Sequence, residues 1–265
     1  VDTYHGLVPD LTHKASVRYR PSDHGDDPLF WQETAPTALV HATDILGPDE
    51  KFDAVVVDEG QDFFELWWTS LEGIFREPDN KRCYYVFFDP KQNIYVEKPS
   101  IPDELGPPFD LKKNCRNTKL IAEHCAGLID QEVETQHYAP TGDRPEIIQA
   151  ADIETAFTQA AKKVRAWCMP GHGRLKLSQV AVLAPGNRIS DWPYNFGTIK
   201  ATRYFDQWRN NQGVLLASWA RFKGLEADGI IIIDAHSPQV AENINAHRYV
   251  ARSRAKHLLV VIEVD

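Results

Sequence analysis

Sulfur is scarce in these 265 residues: one methionine, and four cysteines, Cys83, Cys115, Cys125 and Cys168, with neither a CxxC pair nor a regular spacing. A disulfide framework is excluded, and the thiols read as reduced, as expected of a cytoplasmic protein. His124 beside Cys125, and Cys168 four residues before His172, lack the second matching half that a zinc site needs. No apolar run approaches a membrane span, and Val1–Asp10 has neither the charged start nor the apolar core of a signal peptide, so no membrane partner is expected. Excess positive charge is missing too. With 29 Lys and Arg against 38 Asp and Glu the net charge is −9, which argues against coating nucleic acid by bulk attraction but leaves room for a local basic track. Internal repeats, low-complexity segments and a GxxxxGK[ST] phosphate loop are all absent.

What is present is a globular composition, 43% hydrophobic and 11% aromatic, in a chain long enough for one large domain or two ordinary ones. The reading turns on Phe52–Asp62, FDAVVVDEGQD, where an apolar run ends abruptly in carboxylates. Ala54–Val57 are mostly β-branched and bounded by charge, so they read as a buried parallel strand. Asp58 and Glu59 then fall at its carboxyl end, where an open α/β sheet binds ligands. An Asp there can hold Mg²⁺, and a Glu beside it can orient or deprotonate a water for attack on a phosphoryl group.

Val1–His5 opens without a cap or turn, as though cut into an existing element, and residues 9–50 are rich in Pro, Asp and His with a helix-like patch at Thr37–Ile45. Phe63–Phe75 has helical spacing, with Trp67 and Trp68 read as core. A second strand, Tyr84–Phe88, again runs into polar groups, Asp89, Gln92 and Tyr95, so two strands deliver them to one sheet edge. Pro99, Pro102, Pro107 and Pro108 mark a boundary, giving domains 1–108 and 109–265. Beyond it, Asn117 is placed to cap a helix over Thr118–Ile129, and Asp152 precedes an amphipathic helix reaching Trp167. Strands at Gln179–Ala184, Val214–Ser218, Ile230–Asp234 and Leu258–Val264, with a helix through about 243–255, make this half another parallel α/β unit. Its cations are Arg116 in NCRN, Lys223 in KGLE, and Arg252 and Arg254 in VARSRA. Guanidinium groups from one lobe facing carboxylates of the other would stabilise phosphoryl transfer.

DEGQD (58–62), FDPKQNIY (88–95), LKKNCRN (111–117), SWARFKGLE (218–226) and YVARSRAKHLLVV (249–261) resemble motifs II, III, IV, V and VI of UvrD/Rep-type superfamily 1 DNA helicases, and TYH (3–5) resembles motif Ib. The resemblance implies two RecA-like parallel-sheet domains, the first incomplete, with ATP as cofactor and single-stranded DNA as partner. It implies Asp58 as the Mg²⁺ ligand, Glu59 as catalytic base, Gln92 as γ-phosphate sensor and Arg116 and Arg254 as arginine fingers. Gly224, Glu226 and Lys223 would approach the nucleotide, and Thr3, His5, Tyr95 and Ser218 would touch DNA or couple it to the nucleotide site. Lys112, Lys113 and Arg221 would add salt-dependent contacts. The chain departs from the pattern at Cys115, where the family has a Tyr stacking on adenine, at Phe88 for a Gly, and at Ala220 for a His.

Because the family carries its phosphate loop upstream of TYH, the expectation is a carboxy-terminal piece of a longer helicase, inactive alone. The short interval from Arg116 to Ser218 resembles compact, monomeric modules fused to nuclease-related domains. Two other readings stand beside it. One is a degenerate helicase-like scaffold that binds DNA or a partner without hydrolysis; the other is a metal-dependent phosphoesterase using Asp58, Glu59, Asp62 and Asp89.

Overall fold

Thr3 opens the first element of the structure, a computed structural model that describes residues 2–20, 29–76, 82–92, 100–169, 175–185, 192–235 and 244–264. Its hydroxyl accepts the Gly6 amide at 3.1 Å and caps helix α1, Tyr4–Lys14. The uncapped start expected from Val1–His5 is therefore corrected. Tyr4, Val8, Leu11 and Thr12 line the buried face of α1 at helical spacing, a pattern masked in the sequence by Pro9, which removes one backbone donor from the helix interior.

The chain divides into two units, Val1–Phe109 and Asp110–Asp265. In the first, a π-helical turn, Phe30–Thr34, feeds helix α2, Ala35–Ile45. Strand β1 (Ala54–Val57), helix α3 (Glu65–Glu72) and strand β2 (Cys83–Val86) follow. Apolar packing of α1, α2 and α3 forms the core, with Trp67 and Trp68 buried in it. Tyr4 stacks on Trp67 with centroids 3.9 Å apart, and the Trp67 indole N–H donates to Trp31 O at 2.6 Å, so the rings are fixed in orientation as well as depth.

Strands β1 and β2 pair in parallel, Ala54 opposite Cys83 through Val57 opposite Val86. Val55, Val57, Tyr84 and Val86 face the helical core. The other face carries Val56, Tyr85 and Phe87, exposed at 64%, 59% and 53%. The strand expected to be buried on both faces is thus buried on one, because no layer among the described residues covers the other.

In the second unit the elements run β3 (Lys113–Asn114), α4 (Lys119–Gly127), β4 (Glu134–Thr135), β5 (Glu146–Ala150), α5 (Ile153–Cys168), β6 (Val180–Ala184), β7 (Asn195–Phe196), β8 (Ile199–Thr202), α6 (Phe205–Arg209), β9 (Val214–Ser218), β10 (Ala227–Asp234), α7 (Ile244–Arg252) and β11 (Ala255–Val264). Among the described residues seven strands form one sheet in the order β5-β11-β10-β6-β9-β8-β7. Every pairing is parallel except β7 with β8. The α/β class and parallel sheet expected of a RecA-like domain are what the structure has. The central strands β6, β9 and β10 are apolar along nearly their whole length, since helices cover both faces. On one face α5 packs its buried Ala156, Ala160 and Val164; Asp152 caps it by accepting the Thr155 amide at 2.7 Å. Helices α4 and α7 contribute Ile121, Cys125 and Ala251 to the core on the opposite face. Among the described residues no helix is long and apolar enough to cross a membrane.

Candidate functional site

Asp58 leaves the carboxyl end of β1 into solvent, its Oδ1 accepting the Glu59 amide at 3.0 Å. Glu59 itself takes left-handed backbone angles, φ 55° and ψ 41°, which cost a non-glycine residue about 1 kcal/mol or more and persist only when neighbours enforce them. Gln61 enforces it. Fully buried, its Nε2 donates to Glu59 Oε2 at 2.6 Å, while its Oε1 accepts the Asp89 amide at 2.9 Å. Asp89 Oδ2 in turn accepts from Gln92 Nε2 at 2.8 Å. Two parallel strands therefore deliver Asp58, Glu59, Asp89 and Gln92 to one edge, joined through a buried amide. Asp58, Glu59 and Gln92 come together as the sequence suggested, whereas the bridging role of Gln61 is read only from the structure. Among the described residues no three of His, Cys, Asp or Glu converge as a metal-holding group, so the carboxylate cluster of the phosphoesterase reading is not assembled. A single exposed Asp fits Mg²⁺, which keeps several waters and takes one or two carboxylates besides phosphate oxygens.

Gly60 permits this turn sterically. A Cβ there would lie 2.7 Å from Val86 Cγ1 and 3.2 Å from the Trp68 ring. Gly60→Ala is expected to lower stability by about 1–3 kcal/mol through overpacking, read as a lower urea midpoint; an unchanged midpoint would contradict this packing.

In the second unit, Asn117 joins two of the motifs, its own and the one at 249–261. The expected helix cap is corrected: Thr118 occupies the capping position of α4, and the Asn117 Nδ2 instead donates to Ser253 O at 2.9 Å and Ala255 O at 2.6 Å. Two backbone carbonyls from a distant turn take that amide in place of the helix end. The Ala227 amide donates to Arg254 O at 3.1 Å, so NCRN, KGLE and SRA meet where β10 and β11 begin, at the amino-terminal edge of the sheet. Arg116 Nε donates to Glu226 Oε2 at 3.0 Å, and Lys256 Nζ stands 3.6 Å from Glu226 Oε1 and 3.1 Å from Asp228 Oδ1. The hydrogen bond that Lys256 donates to Asp228, with Glu226 adding, holds the Lys256 pKa above its ordinary value. Gly224 takes φ +77° in open space beside the half-buried Lys223. Arg254 points inward: it is 1% exposed, with Nε donating to Val250 O at 2.9 Å and Nη2 to Ser253 Oγ at 3.3 Å. Arg116, by contrast, keeps 38% of its side chain exposed.

A charged cluster that sequence reasoning passed over lies at the opposite end of β10. Asp234, its side chain fully buried, accepts from Arg252 Nη2 at 2.6 Å and from Arg248 Nε and Nη2 at 2.9 and 3.2 Å. Its signal was an acid ending an apolar strand with two arginines four residues apart on the next helix. Arg252 Nη1 meets His124 Nε2 at 3.0 Å. Since guanidinium only donates, Nε2 is the acceptor and the ring is neutral. Burial, then the Arg252 charge, pushes the His124 pKa below its usual value. The unfolded chain takes up this proton near pH 6.5, whereas the folded unit resists it to lower pH. Stability is therefore expected to fall as pH drops below about 6.5, with a shallower fall in His124→Gln measured by urea unfolding at stepped pH.

The nucleic-acid candidates belong to both units. Thr3 is the α1 cap, and the His5 ring packs edge-on to Trp31 at 4.1 Å and Trp67 at 5.3 Å, where burial lowers its pKa. Ser218 ends β9, at the sheet edge opposite Glu226, and its hydroxyl accepts the Arg221 amide at 3.2 Å. Tyr95 lies outside the described residues.

No protein-family model matches the sequence, and no curated protein does. Similar solved structures include the C-terminal domain of a possible DNA helicase from Lactobacillus plantarum WCFS1, 17% identical over 56% of this chain and 86% of that one, with TM-score 0.37. The PRRSV helicase is 17% identical over 78% of this chain and 34% of its own, TM-score 0.42. Arterivirus nonstructural protein 10, a helicase solved with DNA, is 12% identical over 79% and 39%, TM-score 0.41. The chain thus spans little more than a third of the two viral helicases.

Proposed function

We propose that this chain is part of a UvrD/Rep-type superfamily 1 DNA helicase that couples ATP hydrolysis to movement on single-stranded DNA. The observation that carries the reading is the carboxyl edge of β1 and β2, where Asp58, Glu59, Asp89 and Gln92 are joined through Gln61. On this reading Asp58 would hold Mg²⁺, which would neutralise charge developing on the phosphates. Glu59, fixed by Gln61, takes the proton of the attacking water, and Gln92 reports the γ-phosphate. Of the two candidate arginine fingers, Arg116 supplies the exposed cation, whereas Arg254 is turned onto Val250 O and Ser253 Oγ and braces the SRA turn. Gly224, Lys223 and Glu226 line the approach to the nucleotide, while Thr3, His5, Tyr95 and Ser218 serve the DNA side. The sequence has no phosphate loop of its own, so hydrolysis requires that loop from elsewhere in the polypeptide. The test is DNA-stimulated ATP hydrolysis by the natural polypeptide beside its Glu59→Gln variant. Stimulated hydrolysis that Glu59→Gln abolishes supports the motor; inert natural protein that still binds DNA would make the chain a scaffold.

A further inference from the structure

We propose that Asn114 and Asn117 are positioning residues for Arg116, a clasp that sets its guanidinium relative to the SRA turn; this rests on the nucleotide reading above. Arg116 stands between the two asparagines in the chain, and the clasp takes hold of its backbone. Asn114 Oδ1 accepts the Arg116 amide and the Asn117 amide, each at 3.0 Å, and so bends residues 114–117 into a turn. Asn114 Nδ2 donates to Asn117 Oδ1 at 2.8 Å, so one carboxamide fastens the other. Asn117 Nδ2 then ties the turn to Ser253 O and Ala255 O, and the Thr118 amide adds a bond to Lys256 O at 3.1 Å. Three successive backbone amides, those of residues 116, 117 and 118, are thereby committed.

The chemistry of position 117 is exacting. Its side chain donates twice and accepts once, which neither a carboxylate nor a hydroxyl can do. A flipped amide would set its oxygen against two carbonyl oxygens, so the orientation is fixed as well, and the residue is buried. The side chain of Arg116 is held differently. Its Nε rests on the Glu226 carboxylate, with both partners well exposed. Exposed ion pairs are weak, so the guanidinium can leave Glu226 for a phosphate while its Cα stays where the asparagines hold it. Firm bonds at the backbone and a loose one at the tip suit a cation that must arrive at one point.

The test is a double-mutant cycle in the natural polypeptide, read as DNA-stimulated ATP hydrolysis. Asn114→Ala and Asn117→Ala should each lower kcat about 10²-fold with KM unchanged, the loss expected when a catalytic cation is displaced by about 1 Å. In an Arg116→Ala background the same two substitutions should change kcat by less than about twofold, because residues that act through Arg116 then have nothing to position. Asn114 is only half-buried, so its variant serves if circular dichroism shows that Asn117→Ala does not fold. Equal losses in the two backgrounds would make the asparagines merely structural and overturn the proposal. Loss of hydrolysis in Arg116→Ala, with none in the asparagine variants, would overturn the clasp and leave the nucleotide reading standing. Hydrolysis that survives Arg116→Ala would overturn the proposal too, and a natural polypeptide without hydrolysis would overturn both it and the nucleotide reading.

Discussion

Asp234→Ala is expected to cost the second unit about 3–5 kcal/mol, because it leaves buried guanidinium charge without its carboxylate. Arg252 has 4% of its side chain exposed and Arg248 22%, so water can reach little of the charge left behind. The same substitution releases α7 from the end of β10, and the SRA turn follows α7 directly. Asp234→Asn keeps an acceptor of the same shape and should lose less. Urea unfolding, followed by far-UV circular dichroism across both units, would show the transition of the second unit moving alone. A loss under about 1 kcal/mol for the Ala variant would mean that the pair is solvated, as surface ion pairs are.

Glu59→Gln, made in the polypeptide that carries a phosphate loop, is expected to reduce DNA-stimulated ATP hydrolysis by about 10²–10⁴-fold, the contribution of a positioned general base. The amide keeps the size of the carboxylate and an oxygen that can still accept from Gln61, so nucleotide affinity should hardly change. A kcat loss without a KM loss would mark an interaction made only in the transition state. Gln61→Ala should act differently. It frees the Glu59 carboxylate and strands the Asp89 amide that Gln61 now satisfies at 2.9 Å, so it should lower both rate and stability. Equal rates for the parent protein and Glu59→Gln would remove Glu59 from the chemistry.

Much of this arrangement was legible one element at a time. Strands β1 and β2 announced themselves by apolar runs that stop at Asp58 and near Asp89, and α5 by Ala156, Ala160 and Val164 at helical spacing behind Asp152. What escaped reading depends on partners distant in the chain. Asn117 reads locally as a cap, and only Ser253 O and Ala255 O, 136 and 138 residues away, decide otherwise. Helix α1 was hidden by Pro9, although its buried face is periodic, because packing against α2 outweighs one missing backbone bond. The arginines of VARSRA look alike in sequence, yet Arg252 answers to Asp234 and Arg254 to its own backbone. Sheet order set this difference, and order is not written in the strands themselves.

The place of β11 has a consequence for how the protein is made. Among the described strands of its sheet it comes last in chain order, yet it lies between β5 and β10, inside the sheet. Until it emerges, β5 has no neighbour among the described strands, β10 has one open edge and the Asn117 amide lacks the Ala255 carbonyl. The sheet therefore closes only once β11 has been made, with loop-closure entropy over the long interval from β5 to overcome before the long-range contacts compensate. During translation its apolar strands are held back from pairing with one another or with other chains only by the helices already formed, so a nascent chain paused before Ala255 is the form most in need of a chaperone.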